Sequence, residues 1–220
     1  MDGENAKKAI REELERIGIP DCESKAARIE EYLVRVKQRR RWAGLVSRSV
    51  AGNPEAAVLE SIGMISAIPA GEAKDIVEIG SGGGLLGLVL ATACPGWSVT
   101  MVESSGRKCA FVAEAVGALG LPNAVVLNAR AEELVGLAYF DVAVSRAAGR
   151  LREVAPLALG LLREGGRYVA LKGSETDAEI EEARAALREA GGRLAGVIHP
   201  GLSTAGGPAA GLSLVVIEKM

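Results

Sequence analysis

The sequence predicts an α/β fold, a doubly wound and mostly parallel sheet with helices on both faces, preceded by a helical extension. Three observations predict it. From residue 75 onward, short runs rich in Val and Ile alternate with helix-length segments, the pattern of a parallel sheet with crossover helices. The first of these runs, DIVEI, leads straight into the glycine cluster GSGGG. The last two runs are joined by a Gly/Ala loop without a helix, which implies an antiparallel hairpin at one edge of the sheet.

In chain order, residues 4–17 and 23–41 read as two helices separated by GIPD, with Asp21 as N-cap. Ala26, Ile29, Leu33 and Val36 recur at helical spacing and form one apolar stripe. A turn at Asn53–Pro54 starts a third helix, stopped at Pro69. These residues, 1–69, form the helical extension, packed on the main domain of residues 70–220. There, strands are expected at 75–79, 98–103, 123–128, 139–145 and 166–173. Helices are expected at 85–93, 105–119, 150–162 and 176–190, and the closing strands near 193–198 and 212–218.

At 220 residues, 49% hydrophobic and 25% charged, the chain has the make-up of a packed globular protein. No apolar run approaches the roughly 20 residues of a membrane helix, and MDGENAKKAI lacks the apolar stretch of a signal peptide. Cys22, Cys94 and Cys109 are odd in number, with no CxxC pair. They read as free or buried thiols in a reducing, cytoplasmic compartment, and no metal site is expected. The net charge is −2, yet residues 1–50 hold 12 Lys/Arg against 9 Asp/Glu. The positive excess is concentrated in RVKQRRRW, residues 35–42. Arg35, Lys37, Arg39, Arg40 and Arg41, beside Trp42, suit phosphate contact and base stacking; cations at a helix C-terminus are also favoured without any ligand.

Glycine after a strand lets the backbone turn at positive φ and lets a ligand lie against it. Two spacings are present. Gly82, Gly84 and Gly87 match the dinucleotide fingerprint G-x-G-x-x-G, while Glu78, Gly80, Gly82 and Gly84 match acidic-x-G-x-G-x-G. The strand runs directly into Gly80, so the first tight turn is there and Gly82 comes too late to open a dinucleotide fingerprint. The carboxylate of Glu78 would repel a pyrophosphate and attract a cation. Glu103, at the end of the second strand, is placed to accept hydrogen bonds from ribose hydroxyls. A nucleoside ligand carrying a cation fits these features, with Ser81 inside the loop.

VEIGSGGG followed by VTMVES resembles the first two motifs of class I S-adenosylmethionine-dependent methyltransferases, a Rossmann-like fold. The chain is more closely similar to the RsmG (GidB) family, which makes 7-methylguanosine in small-subunit (16S) ribosomal RNA. The resemblance rests on G-x-G-x-G-L-x-G at 80–87, ESSGRK at 103–108, ARAEE at 129–133, FDVAVSRA at 140–147 and ALKG at 170–173. It implies S-adenosyl-L-methionine as cofactor, with contacts at Gly80, Leu85, Ala131, Glu132 and Arg146. It also implies small-subunit ribosomal RNA or the small subunit itself as partner, no membrane, and a monomer.

The lone pair of guanine N7 needs no general base, so positioning would carry the chemistry. Arg146 and Lys172 are the positioning candidates, and Arg107 and Lys108 add positive charge at the carboxyl edge of the sheet. His199 reads as structural. Against the family's pattern, Gly44-Leu45-Val46 stand for Asn-Leu-Thr, Ala57 and Glu60 for His and Asp of His-x-x-Asp-Ser, and Gly83 and Leu86 for two loop prolines. Leu212 stands for an arginine. These substitutions leave open a paralogue that methylates a small molecule, or a non-catalytic RNA- or ribosome-binding protein that keeps the fold.

Overall fold

The computed structural model describes residues 3–38, 52–69, 74–137, 139–200, 203–204, 207–208 and 212–220. Two helices come first, α1 (Gly3–Arg16) and α2 (Cys22–Gln38). Ala6, Ile10 and Leu14 of α1 and Ala26, Ile29, Tyr32, Leu33 and Val36 of α2 are buried, as helical spacing dictates for one inward face. Helix α3 (Pro54–Met64) starts where the Ala56 N–H donates to Asn53 Oδ1 at 3.0 Å, with proline in its first turn. It is buried almost all round, Ala56 and Glu60 keeping partial exposure. A 3-10 turn, Ile65–Ala67, ends this segment.

The alternating part follows as β1 (Asp75–Ile79), α4 (Leu85–Ala93), β2 (Ser98–Glu103), α5 (Gly106–Leu119), β3 (Ala124–Asn128) and β4 (Phe140–Arg146). It continues with α6 (Leu151–Leu161), β5 (Leu162–Lys172), α7 (Thr176–Glu189), β6 (Gly192–Ile198) and β9 (Ser213–Lys219). Two-residue strands β7 (Ser203–Thr204) and β8 (Gly207–Pro208) pair with each other between them. Among the described residues the main sheet has seven strands in the order β3-β2-β1-β4-β5-β9-β6. The first five are mutually parallel. Strand β9 runs antiparallel between β5 and β6, so the last strand lies inside the sheet and β6 forms the edge.

Strand β5 begins four residues earlier than the sequence suggests. LREGG reads as a charged, glycine-containing loop, yet α6 passes directly into the strand at Leu162. The pairing steps from Phe140↔Leu162 to Val142↔Arg167, a bulge in which Gly165 takes φ 73°. Arg163 fixes this corner by reaching Asp75 at 2.8 Å and Asp141 at 2.5 Å.

Side chains alternate across the sheet, and this alternation sorts the core into two layers. Ile76, Val142, Val144, Val169, Leu171, Leu214 and Val216 face α1 to α5. Val77, Ala143, Tyr168, Ala170, Val215 and Ile217 face α6 and α7. The N-terminal helices therefore share one continuous core with β1 and β4. Because the chain builds outward from β1 through β2 and β3, then returns to β4, a crevice opens at the carboxyl ends of β1 and β4.

Candidate active site

Strand β1 ends at Ile79, and the chain turns back over β2. The N–H groups of Gly80 and Ser81 both donate to the Val102 carbonyl at 3.0 Å. Gly80, Gly82 and Gly84 take φ 68°, 59° and 80°, the left-handed region that disfavours side chains. At Gly84 a Cβ would also lie 2.6 Å from Val112 Cγ1. At Gly87, inside α4, it would lie 2.6 Å from both Glu78 Oε2 and Met101 Sδ. The glycines serve two ends: a loop of positive φ, and an α4 that sits hard against β1 and β2.

Glu103 is buried and ties the loop together. Its Oε2 accepts from Gly82 N–H and its Oε1 from Ser105 N–H, each at 2.9 Å, with Lys108 Nζ 3.7 Å away. A carboxylate has about four acceptor positions, so two remain for hydroxyl donors. Beside it lies a cavity of 310 Å³ lined by Gly80, Glu103, Ser104, Ala131, Glu132, Glu153 and their neighbours. A bound nucleoside fits these residues: a glycine turn without side chains on its surface, a carboxylate with spare acceptors, and a cleft with three acids on its wall. The Ser81 hydroxyl is buried without a hydrogen-bond partner in the protein.

Glu78 lies beneath this loop. It is 3% exposed, and its Oε2 accepts from Gly87 N–H at 2.9 Å. Burial pushes its carboxyl up to about 8, against the opposing pull of the Gly87 N–H and the Arg146 guanidinium. Even-numbered residues of β1 and β4 face the N-terminal helices, so Glu78 and Arg146 come to the same side. Arg146 pairs there with Glu60 of α3 at 2.7 Å. From α2, the fully buried Tyr32 donates its hydroxyl to the Gly83 carbonyl at 2.7 Å. After Arg146 the chain makes a strained turn, with Ala147 at φ 56°. Ala148 then closes on Gly80, whose Cβ would stand 3.4 Å from that of Ala148.

The structure thus brings Gly80, Ser81, Gly82, Gly84, Leu85, Glu103, Ala131 and Glu132 around one loop and cavity, with Glu78 and Arg146 alongside. Lys172 reaches the Gly149 carbonyl and Glu179, each at 2.7 Å, and so holds the turn after β4. Arg35 bonds Glu31 at 2.9 Å, and Lys37 pairs with Glu55 of α3 at 2.6 Å. Arg107 is exposed at the start of α5. Arg39, Arg40, Arg41, Trp42 and the segment 44–46 lie outside the described residues. His199 Nδ1 stands 3.2 Å from the Ser213 hydroxyl, joining β6 to β9.

Sequence reasoning missed Tyr32, Glu153 and the partnership of Glu60 with Arg146. Tyr32 sits three residues after Ile29 on the buried face of α2, beside the apolar stripe but not part of it, and nothing local signalled its hydroxyl's target.

A family model described as GidB, rRNA small subunit methyltransferase G, matches residues 25–199. The chain belongs to this family. Among curated relatives, the ribosomal RNA small subunit methyltransferase G of Mycobacterium sp. (strain KMS) is 42% identical over 137 residues, 61% of this chain and 60% of that protein. The match thus spans less than two thirds of that relative's length. The protein of the same description from Rubrobacter xylanophilus is 31% identical over 98% of this chain and 84% of its own. Among solved structures, M. jannaschii TYW2 in complex with AdoMet superposes with a TM-score of 0.57 at 17% identity, covering 79% of this chain and 76% of that one. The GidB match takes in α2, α3, the glycine loop, Glu103, Ala131, Glu132, Arg146 and Lys172, so the helices over the loop belong to the family's common segment.

Proposed function

We propose that the protein is an S-adenosylmethionine-dependent methyltransferase that methylates N7 of a guanosine in small-subunit ribosomal RNA. The observation that carries the reading is the join between the glycine loop and Glu103, opening onto the cavity of 310 Å³, in a chain of the GidB family. Glu103 accepts from ribose hydroxyls, Ala131 and Glu132 border the base, and Gly80 to Leu85 lie along the amino-acid end. When bound, S-adenosylmethionine supplies the methyl group.

The chain's own residues orient and shield. The turn Ala147–Gly149, held by Lys172, closes the cavity opposite Gly80. At the end of β4 the neighbouring carboxylate, Glu60, is committed to Arg146, so the reading assigns no general base to it. Guanine N7 needs none, since its lone pair carries no proton at neutral pH. Arg35 and Lys37 stand at the end of α2 that leads into Arg39, Arg40 and Arg41, and Arg107 and Lys108 stand at the head of α5. These cations attract the phosphates of a ribosomal RNA in the cytoplasm, and the protein acts as a monomer.

The test is transfer of labelled methyl from S-adenosylmethionine to small subunits and their naked RNA, from cells lacking their own N7 enzyme, followed by nucleoside analysis. Label in 7-methylguanosine is the expected result. Saturable cofactor binding without transfer to RNA would overturn the substrate and leave the cofactor site standing.

A further inference from the structure

Helix α3 contributes one polar side chain to the crevice, and it goes to a single place. Glu60 is one of two α3 residues with partial exposure. Its Oε2 lies 2.7 Å from Arg146 Nη2, across 86 residues of sequence. The two side chains are only 15% and 13% exposed, so this is a largely desolvated pair rather than a surface contact. The guanidinium is incompletely used: Nε of Arg146 is buried and has no hydrogen-bond partner in the protein. A buried N–H without an acceptor is costly, and this one lies beside the glycine loop, where Tyr32 and Glu78 also converge.

An arginine at the end of a strand has several rotatable bonds, and holding its planar fork in one orientation costs conformational entropy. A carboxylate on a rigid, nearly all-buried helix supplies that orientation in advance. We propose that Glu60 is a positioning residue for methyl transfer: through its pair with Arg146 it fixes the guanidinium so that the free Nε–H meets an anionic group of the bound cofactor. The one anionic group of S-adenosylmethionine is its carboxylate. The proposal rests on the cofactor reading above and adds the N-terminal helices to the site as a working wall.

The experiment measures cofactor affinity by calorimetry on the full chain for wild type, Glu60→Gln, Glu60→Asp, Arg146→Gln and the double variant, with unfolding midpoints recorded alongside. Glu60→Gln keeps the shape and removes the charge. It should weaken cofactor binding by about tenfold, the scale of one charge-assisted hydrogen bond. Glu60→Asp should recover most of that loss, and Glu60→Gln should add nothing once Arg146 is already Gln. Unchanged affinity in Glu60→Gln with a lowered unfolding midpoint would overturn the proposal, making the pair a clip between α3 and β4. Additive losses in the double variant would overturn it as well, because Glu60 would then not act through Arg146. A wild type that binds no cofactor would sink the underlying reading instead, and this inference with it.

Discussion

The two sides of the crevice are built by different means. On one side, residues 75–103 make a single β-α-β unit in which two acidic side chains take backbone N–H groups of the glycine loop and of α4. Glu78 takes the Gly87 N–H nine residues away, and Glu103 takes the Gly82 N–H 21 residues away. On the other side, the N-terminal helices reach the loop and the end of β4 through side chains. Tyr32 spans 51 residues to Gly83, and Glu60 spans 86 to Arg146. The loop side depends on backbone shape, which few residue types satisfy. The helical side depends on one hydroxyl and one ion pair that reach across from distant parts of the chain. Of the positions where the sequence departs from the pattern it resembles, Ala57, Glu60 and Leu212 fall outside the β-α-β unit, whereas Gly83 and Leu86 fall in its loop and helix.

This contrast can be broken most directly at Gly84. Placing Ala there forces a side chain onto φ 80° and into Val112, and should cost about 2–5 kcal/mol in urea unfolding along with cofactor binding. A stable, binding Gly84→Ala protein would show that the loop does not depend on that backbone shape.

Glu78 offers a pH test of the same unit. Its carboxyl ionises near 4.5 when unfolded and near 8 when folded, so the folded state binds the proton more tightly. The stability it contributes is full below pH 4.5 and is lost as pH rises through about 8. Glu78→Gln should therefore gain on wild type, on the order of a few kcal/mol, between about pH 5 and about pH 9. A constant difference across that range would mean the group is already charged when folded.

Glu103→Gln keeps a hydrogen-bonding shape without the charge. It should weaken S-adenosylmethionine roughly 10- to 100-fold, the scale of hydrogen bonds to a charged group, while RNA affinity measured by filter binding stays near wild type. Equal losses in both would remove the assignment of Glu103 to the ribose.

The smallest of these effects is expected on the helical side. Tyr32→Phe leaves the Gly83 carbonyl without its donor in a buried setting, a loss of about 1–2 kcal/mol in unfolding free energy. Cofactor affinity should fall with it if α2 supports the loop. An unchanged affinity would reduce α2 to packing.

Most of the fold was legible because its signals are local. Strand β1, helix α4 and strand β2 fall where the sequence places them, since Val/Ile runs, the glycine cluster and helical periodicity each act within a few residues. Gly80, Gly82, Gly84 and Glu103 were legible for the same reason: a strand, a turn and a strand end occur within one β-α-β unit. Glu78 was found for its charge, but its partner, the N–H at the head of α4, required the packing of α4 on β1. The bulge that starts β5 at Leu162 was hidden because LREGG has loop composition. Long-range contacts hold it to the sheet: the pairing of Leu162 with Phe140, Lys219 on the Leu162 carbonyl, and the ion pairs of Arg163 with Asp75 and Asp141.

By itself, then, the sequence determined the alternating α/β order, the glycine turn after β1, the acid at the end of β2 and the antiparallel closing hairpin. Each follows from backbone preferences and short-range periodicity. Tertiary structure alone decided that β9 enters between β5 and β6, that α3 is buried nearly all round, and that Tyr32 and Glu60 meet the site. Strand parity puts Glu78 and Arg146 on the face where the N-terminal helices pack. No local pattern in the chain encodes which distant side chain will be waiting there.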